Sequence, residues 1–174
     1  LGPNGKLSKR DALKYGFPVF AMNWTDPDSG ELIQGFKERG FLPEAFINFL
    51  ALLGWNDGTE QEIFTKKELV QKFSIDRVHS GGAKFDYEKA KWFNHEWIKR
   101  SEVQSLRFDV KSLLDTKGVS ITDDNYLDGI IGLLKDRCML LTDFYDQSHF
   151  FFQAPKEYDL NAVKAKWSGG KKRF

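Results

Sequence analysis

Apolar residues recur along this chain at helical rather than strand period, and the plainest case is LPEAFINFLALLGW, residues 42–55. Pro43 suits a first helical turn, Glu44 complements the positive end of a helix, and Gly54 suits its stop. Ala45, Phe46, Ile47, Phe49, Leu50, Leu52 and Leu53 leave hardly any polar face, so the pattern predicts a helix buried on several sides. Asn56–Gly58 reads as a turn. In TKKELVQKF, Thr65 and Glu68 stand at capping-box spacing, with Leu69, Val70 and Phe73 expected on one face.

HSGG, residues 79–82, breaks the period. FDYEKAKWFNHEWI resumes it from Asp86 as N-cap, with Tyr87, Ala90 or Lys91, Phe93 or Asn94, and Trp97 or Ile98 at helical spacing. SEVQSLRFDVKSLLDTKG repeats a capping box at Ser101 and Gln104, lines one side with Val103, Leu106, Val110, Leu113 and Leu114, and stops at Gly118. TDDNYLDGIIGLLKDRCMLLTD starts at Thr122 or Asp123 and is expected to turn Tyr126, Ile130, Leu133 and Leu134 inward, although Gly129 and Gly132 weaken it as a helix. HFFFQAP reads as a segment packed between helices, and DLNAVKAKW as the start of another helix at Asp159. Only AMNWTDPDSGELIQGF departs from this pattern. Its turn formers from Asp26 to Gly30 predict a small hairpin near 21–34 in an otherwise mainly α chain, with a soft boundary at 95–101.

Composition narrows the class. With 174 residues the chain can bury a real core, and 41% hydrophobic with 29% charged residues is globular rather than disordered. The formal net charge of +1, from 26 basic and 25 acidic side chains, carries no global nucleic-acid signature, so anion binding has to come from local patches. No apolar run approaches the ~18 residues of a membrane span, and an intracellular soluble protein with no membrane contact is expected. The lone Cys138 excludes an internal disulfide, and its apolar flanks predict a buried, inert thiol. No metal site is expected, since Cys138 has no partner at ligand spacing and His79, His95 and His149 are isolated. His95 is expected to be hydrogen-bonded and partly buried, and Trp92 and Trp97 to be core rather than base-stacking platforms. HSGG lacks the preceding strand and the Lys-Ser/Thr ending of a phosphate loop.

The chain opens with LGPNGKLSKRDA, where Gly2, Pro3, Asn4 and Gly5 disfavour regular structure and Lys6, Ser8, Lys9 and Arg10 follow. A solvated basic turn and a phosphate-binding loop would look alike here. Lacking an initial Met and ending in SGGKKRF, the chain is expected to be a piece of something longer.

Taken together, these segments resemble bacterial glutamyl-tRNA synthetase, a class I aminoacyl-tRNA synthetase. KLSKR is similar to the KMSKS signature of the class, with Leu7 for Met and Arg10 for the final Ser. GFLPEAFINFLALLGW, EIFTKKELVQKFSIDRV and FDYEKAKWFNHEWI follow the family in order and spacing to about residue 100. LLKDRCMLLTDFYDQSHFFF resembles, more loosely, its helical anticodon-binding region, and residues 21–34 look like an insertion. The resemblance implies a KMSKS-type loop and stem-contact helical domain over 1–95 and the first part of an α-helical anticodon-binding bundle over 96–174.

The activity so implied is glutamate–tRNA ligation, in which ATP with Mg²⁺ activates L-glutamate to glutamyl-adenylate and tRNA(Glu) then takes the glutamyl group. Lys6 and Lys9 are the implied catalytic contacts to pyrophosphate, and Lys6, Leu7, Ser8, Lys9 and Arg10 the ATP-binding loop. No HIGH signature is present, so the chain alone is expected to be inactive. A monomer working in the cytoplasm is expected. Lys84, Lys89, Lys91, Lys99, Arg100 and Arg107 are candidates for tRNA phosphate contact, each also readable as an exposed helix charge. Two other readings are a stand-alone, non-catalytic tRNA-binding module and a helical protein-interaction scaffold. An enzyme that glutamylates a modified tRNA base is disfavoured by residues 100–174, which it would lack.

Overall fold

The computed structural model describes residues 18–154, together with positions 16 and 161. LGPNGKLSKRDA, with Lys6, Leu7, Ser8, Lys9 and Arg10, lies outside the described residues, as does the helix expected from Asp159 apart from Asn161. Among the described residues two short strands, β1 (Trp24–Thr25) and β2 (Leu32–Ile33), precede six helices: α1 (Pro43–Leu52), α2 (Lys66–Lys72), α3 (Tyr87–Arg100), α4 (Val103–Thr116), α5 (Asp124–Leu134) and α6 (Asp143–Phe152). A single 3-10 turn, Ile75–Arg77, follows α2. The expected mainly α architecture is what forms.

The hairpin forms where the turn residues cluster. Trp24 stands opposite Ile33 and Thr25 opposite Leu32, antiparallel. Asp26 Oδ1 accepts from the main-chain N–H groups of Asp28 and Ser29 at 2.9 and 3.1 Å, and Gly30 supplies a φ of 72°. Behind it, Gly35 passes so close to the Met22 backbone that a Cβ would lie 2.2 Å from the Met22 carbonyl carbon.

Pro43 and Glu44 open α1 as expected, but the helix ends at Leu52 and is not buried on several sides. Ala45, Asn48 and Phe49 are buried, whereas Ile47 and Leu50 are each 45% exposed, because α1 packs on α2 and α3 and keeps a third side open. The capping box of α2 is complete: Glu68 N–H donates to Thr65 Oγ1 at 3.2 Å, and Thr65 N–H to Glu68 Oε2 at 2.8 Å. Of its three expected inward residues only Leu69 is buried, beneath Trp55 and Phe64. Val70 is 75% and Phe73 48% exposed, since a helix of two turns offers one narrow buried stripe.

α3 is the central element. Asp86 caps it by accepting from Lys89 N–H at 3.1 Å. Ala90 and Phe93 enter an aromatic cluster with Phe36, Phe41 and Phe49, while Ile98 enters a second core with Leu42, Ala45, Leu106, Leu127 and Phe144. Trp97 packs partly buried against this second core, as expected, but Trp92 is 37% exposed and stands edge-on to Phe93.

Only Ser101 and Glu102 separate α3 from α4, and the expected capping box at Ser101 and Gln104 does not form. Ser101 instead serves the helix it ends: its hydroxyl donates to the Trp97 carbonyl at 2.8 Å. α4 buries Leu106, Val110 and Leu114, and Gly118 closes it at a φ of 75°. Asp123 caps α5, which turns Leu127, Ile130, Ile131 and Leu134 inward. Ile130 and Leu134 are buried as expected, whereas Tyr126 and Leu133, also expected inside, are 46% and 67% exposed and Leu127 and Ile131 take their places; the Tyr126 hydroxyl donates to the Phe151 carbonyl. The chain after Leu134 turns rather than continuing as helix, and HFFF forms the end of α6 rather than an irregular segment. Cys138 is buried in that turn, and burial pushes its thiol up to about 12, which makes it inert as expected.

Ile98 is fully buried and joins α3 to the bundle, so Ile98→Ala should cost about 2–5 kcal/mol in denaturant unfolding, while Val70→Ala should stay within about 0.5 kcal/mol.

A second expectation concerns pH. Asp57, in the expected turn, accepts hydrogen bonds from Lys72 Nζ at 2.7 Å and from Thr59, which lowers its pKa from 3.8 to about 2. The folded state therefore holds this proton more weakly than the unfolded chain. The resulting stability is fully present above pH 3.8 and is lost as pH falls towards about 2. Asp57→Asn should flatten the dependence of melting temperature on pH in that window, lowering the melting temperature near pH 8 and converging on the parent towards pH 2.

Candidate nucleic-acid interface

The six basic candidates lie in the loop before α3, on α3 and on α4. Lys84 is exposed in the loop and has no ion-pair partner among the described residues. Lys89 Nζ lies 2.6 Å from Glu62 Oε1 and over the Phe93 ring, and Lys91 Nζ lies 2.8 Å from Glu88 one turn back. At the far end of α3, Lys99 and Arg100 share a single carboxylate, with Glu96 at 2.9 Å from Lys99 Nζ and 4.0 Å from the Arg100 guanidinium. The Lys99 hydrogen bond holds the Glu96 carboxyl below the usual range. Two cations against one anion leave a positive surplus at this end.

Arg107 is placed differently. Its Nε donates to Asp128 Oδ1 at 2.7 Å, a second guanidinium nitrogen donates to the other Asp128 oxygen, and Asp124 lies 3.5 Å away and also bonds Lys111 at 2.7 Å. The Asp128 hydrogen bonds raise the Arg107 pKa above its ordinary value. This bidentate pair ties α4 to α5. An exposed single-contact pair is worth about 1 kcal/mol or less and exchanges readily for a phosphate, whereas a bidentate pair in a charge network gives up its partner less easily.

Two buried amides, inconspicuous in the sequence, hold the surface that displays these cations. Asn48 Oδ1 accepts from Phe64 N–H at 2.9 Å and from Trp97 Nε1 at 3.1 Å, and its Nδ2 donates to the Glu62 carbonyl at 2.9 Å. Asn94 Oδ1 accepts from Leu42 N–H at 2.7 Å, while its Nδ2 donates to the carbonyls of Met139 at 2.7 Å and Gly40 at 3.2 Å. Asn94 appears in the helical pattern only as one alternative to Phe93, since polarity alone does not mark it as buried. Beside it, His95 Nδ1 meets the Cys138 carbonyl at 2.8 Å, the partly buried, hydrogen-bonded state expected of it.

A groove of about 750 Å³ opens beside α1, between the segment after the hairpin and α4. Asp109 lies on its wall with a raised pKa, from burial and from the nearby Glu44 charge, opposed by Lys37. Among the described residues no group of three or more His, Cys, Asp or Glu could hold a metal ion, and no helix is long and apolar enough to cross a membrane.

Two family models match the chain. Residues 28–92 match the catalytic domain of class I tRNA synthetases (E and Q), and residues 87–172 match an anticodon binding domain, so the matches overlap inside α3. The glutamate–tRNA ligase of Amoebophilus asiaticus is 46% identical over 95% of this chain and 32% of its own length, and that of Flavobacterium psychrophilum 49% over 92% and 32%. A glutamate tRNA ligase from Elizabethkingia meningosepticum, solved in complex with its amino acid, superposes with a TM-score of 0.87 at 41% identity, covering 97% of this chain and 34% of that one. Nearly the whole chain is thus similar to glutamate–tRNA ligases, and it spans about a third of the length of the curated relatives it matches.

Replacing Lys99 and Arg100 together by Ala should weaken binding of labelled tRNA and lower the slope of log affinity against log salt by about 0.7–0.9 for each phosphate no longer neutralised. Arg107→Ala should instead reduce the melting temperature and leave that slope unchanged. A titration at several salt concentrations, paired with thermal melts, reads both.

Proposed function

We propose that this chain is the part of a glutamate–tRNA ligase that carries the ATP-facing loop Lys6–Arg10 and the first helices to receive tRNA(Glu). The observation that carries this reading is the alignment of nearly the whole chain, 95% of it at 46% identity, with one continuous third of such a ligase. In this reading residues 1–95 form the loop and stem-contact unit, and residues 96–174 begin the anticodon-binding bundle. The division falls inside α3, so the two units share a helix.

The chemistry has two steps. A glutamate carboxylate oxygen attacks the α-phosphorus of ATP, forming a carboxyl–phosphate bond as the bond to pyrophosphate breaks. A terminal ribose hydroxyl of tRNA then attacks the activated carbonyl, and AMP leaves. Neither step needs a covalent enzyme intermediate, so the protein contributes positioning and charge stabilisation. Negative charge grows on the departing pyrophosphate, and an ammonium on a flexible stem is suited to follow it. Lys9 takes the main contact and Lys6 a second one. Ser8 bonds phosphate or braces the loop, and the backbone near Leu7 approaches the adenine. Mg²⁺ enters with ATP, and the enzyme works where translation does, in the cytoplasm.

In the intact ligase, Lys9→Ala should lower the single-turnover rate of adenylate formation by about 100-fold or more, with glutamate affinity within twofold of the parent. An unchanged activation rate would move the pyrophosphate contact elsewhere.

A further inference from the structure

Asn94 has no exposed surface, and its carboxamide bonds only to main chain, on two sides of the molecule. On one side are Gly40 and Leu42, which lead into α1 within the part matched by the catalytic-domain model. On the other is Met139, in the turn that leads into α6 within the anticodon-binding match. The two sides also touch directly: Leu141 N–H donates to the Gly40 carbonyl at 2.9 Å. Gly40 has a φ of 91°, and a Cβ there would lie 2.8 Å from the main-chain nitrogens of Leu141 and Thr142. No side chain cushions this contact, so here the two halves meet at backbone distance, while beside it Leu42 and Ala45 pack into the core that Leu106, Leu127 and Phe144 form.

We propose that Asn94 is a positioning residue for tRNA: by joining Gly40 and Leu42 to Met139 it fixes the spacing between the two halves of the chain, so that one tRNA reaches both at once. This rests on the reading of the chain as part of a tRNA ligase. The physical reason is that a ligand touched at two separated places makes its second contact intramolecularly. That contact counts fully only where the spacing is held near the ligand's own. Separate units within one chain shift relative to each other unless their interface holds them; here Leu42 and Ala45 share the core of Ile98, Leu106 and Phe144, and the amide sets the registration of that contact. An unmade bond at Asn94 would leave buried main-chain polar groups without partners, which the junction can relieve only by opening.

The test uses the intact ligase carrying spin labels on cysteines placed at the exposed positions Ile47, on α1, and Leu133, on α5. The parent protein should give a narrow label–label distance distribution. Asn94→Ala should broaden it and raise the KM for tRNA at least fivefold, with kcat and the KM values for ATP and glutamate within twofold. Gly40→Ala, which strikes the same junction from the other side, should do the same, and it carries the test if Asn94→Ala does not fold. Leu69→Ala, a buried truncation in a separate cluster, should lower the melting temperature without moving either readout. A distribution that stays narrow in a folded junction variant overturns the proposal, as does a broadened distribution with an unchanged KM for tRNA. Failure of the parent ligase to charge tRNA with glutamate would overturn the functional reading instead, and the spin-label result would stand apart from it.

Discussion

The carboxamide of Asn94 accepts one hydrogen bond and donates two, all to main chain and all away from water, and the arrangement of α1, α3 and the turn before α6 depends on it. Asn48 does the corresponding work between α1, α3 and the segment that leads into α2. Each amide saturates groups that helix ends and turns leave over, and each would expose a buried deficit if it were removed. Amides do not titrate, so these joints are indifferent to pH, unlike the carboxylate pairs on the surface. The apolar cores then follow. The aromatic cluster lies on one face of α3 and the aliphatic bundle beyond its other end, both spaced by where the amides hold the backbone.

The surface separates cations by how they are held. Net charge is almost zero, yet the pairing is uneven among these cations. Lys99 and Arg100 divide one carboxylate, Lys84 faces none among the described residues, and Arg107 is fully committed to Asp128 and Asp124. A balanced total therefore coexists with a local excess at the end of α3, the kind of patch that composition cannot report.

Much of this is legible in the sequence, and the departures share causes. Caps made by a side chain next to the helix it starts are readable at Thr65, Asp86 and Asp123, because such caps are local chemistry. Ser101 misleads because a serine between two abutting helices can serve either one, and here it bonds back to Trp97. The inward face of α5 keeps Ile130 and Leu134 but takes Leu127 and Ile131 in place of Tyr126 and Leu133, because YLDGIIGLL is apolar over more than one stripe and only the partner helices choose among them. The pattern of α1 implies cover all round, but Ile47 and Leu50 show that apolar composition sets what can be buried, not what is. Of the candidate site, the sequence names the basic residues but not their partners: Glu62 lies 27 positions before Lys89, and Asp128 21 after Arg107. The bonds of Asn94 are hidden for the same reason, two of its partners being backbone groups 45 and 54 positions away.

A joint that bonds to main chain keeps no record of the side chains around it. Met139 lends only its carbonyl to Asn94 and is itself 37% exposed, so its identity can drift without disturbing the contact. Gly40 and Asn94 have no such freedom, the one for lack of room and the other for its three bonds. Two lineages could therefore diverge widely on either side of α3 and still share an interchangeable coupling. A hybrid that takes one half from each parent would then close correctly, provided those two positions had been inherited intact.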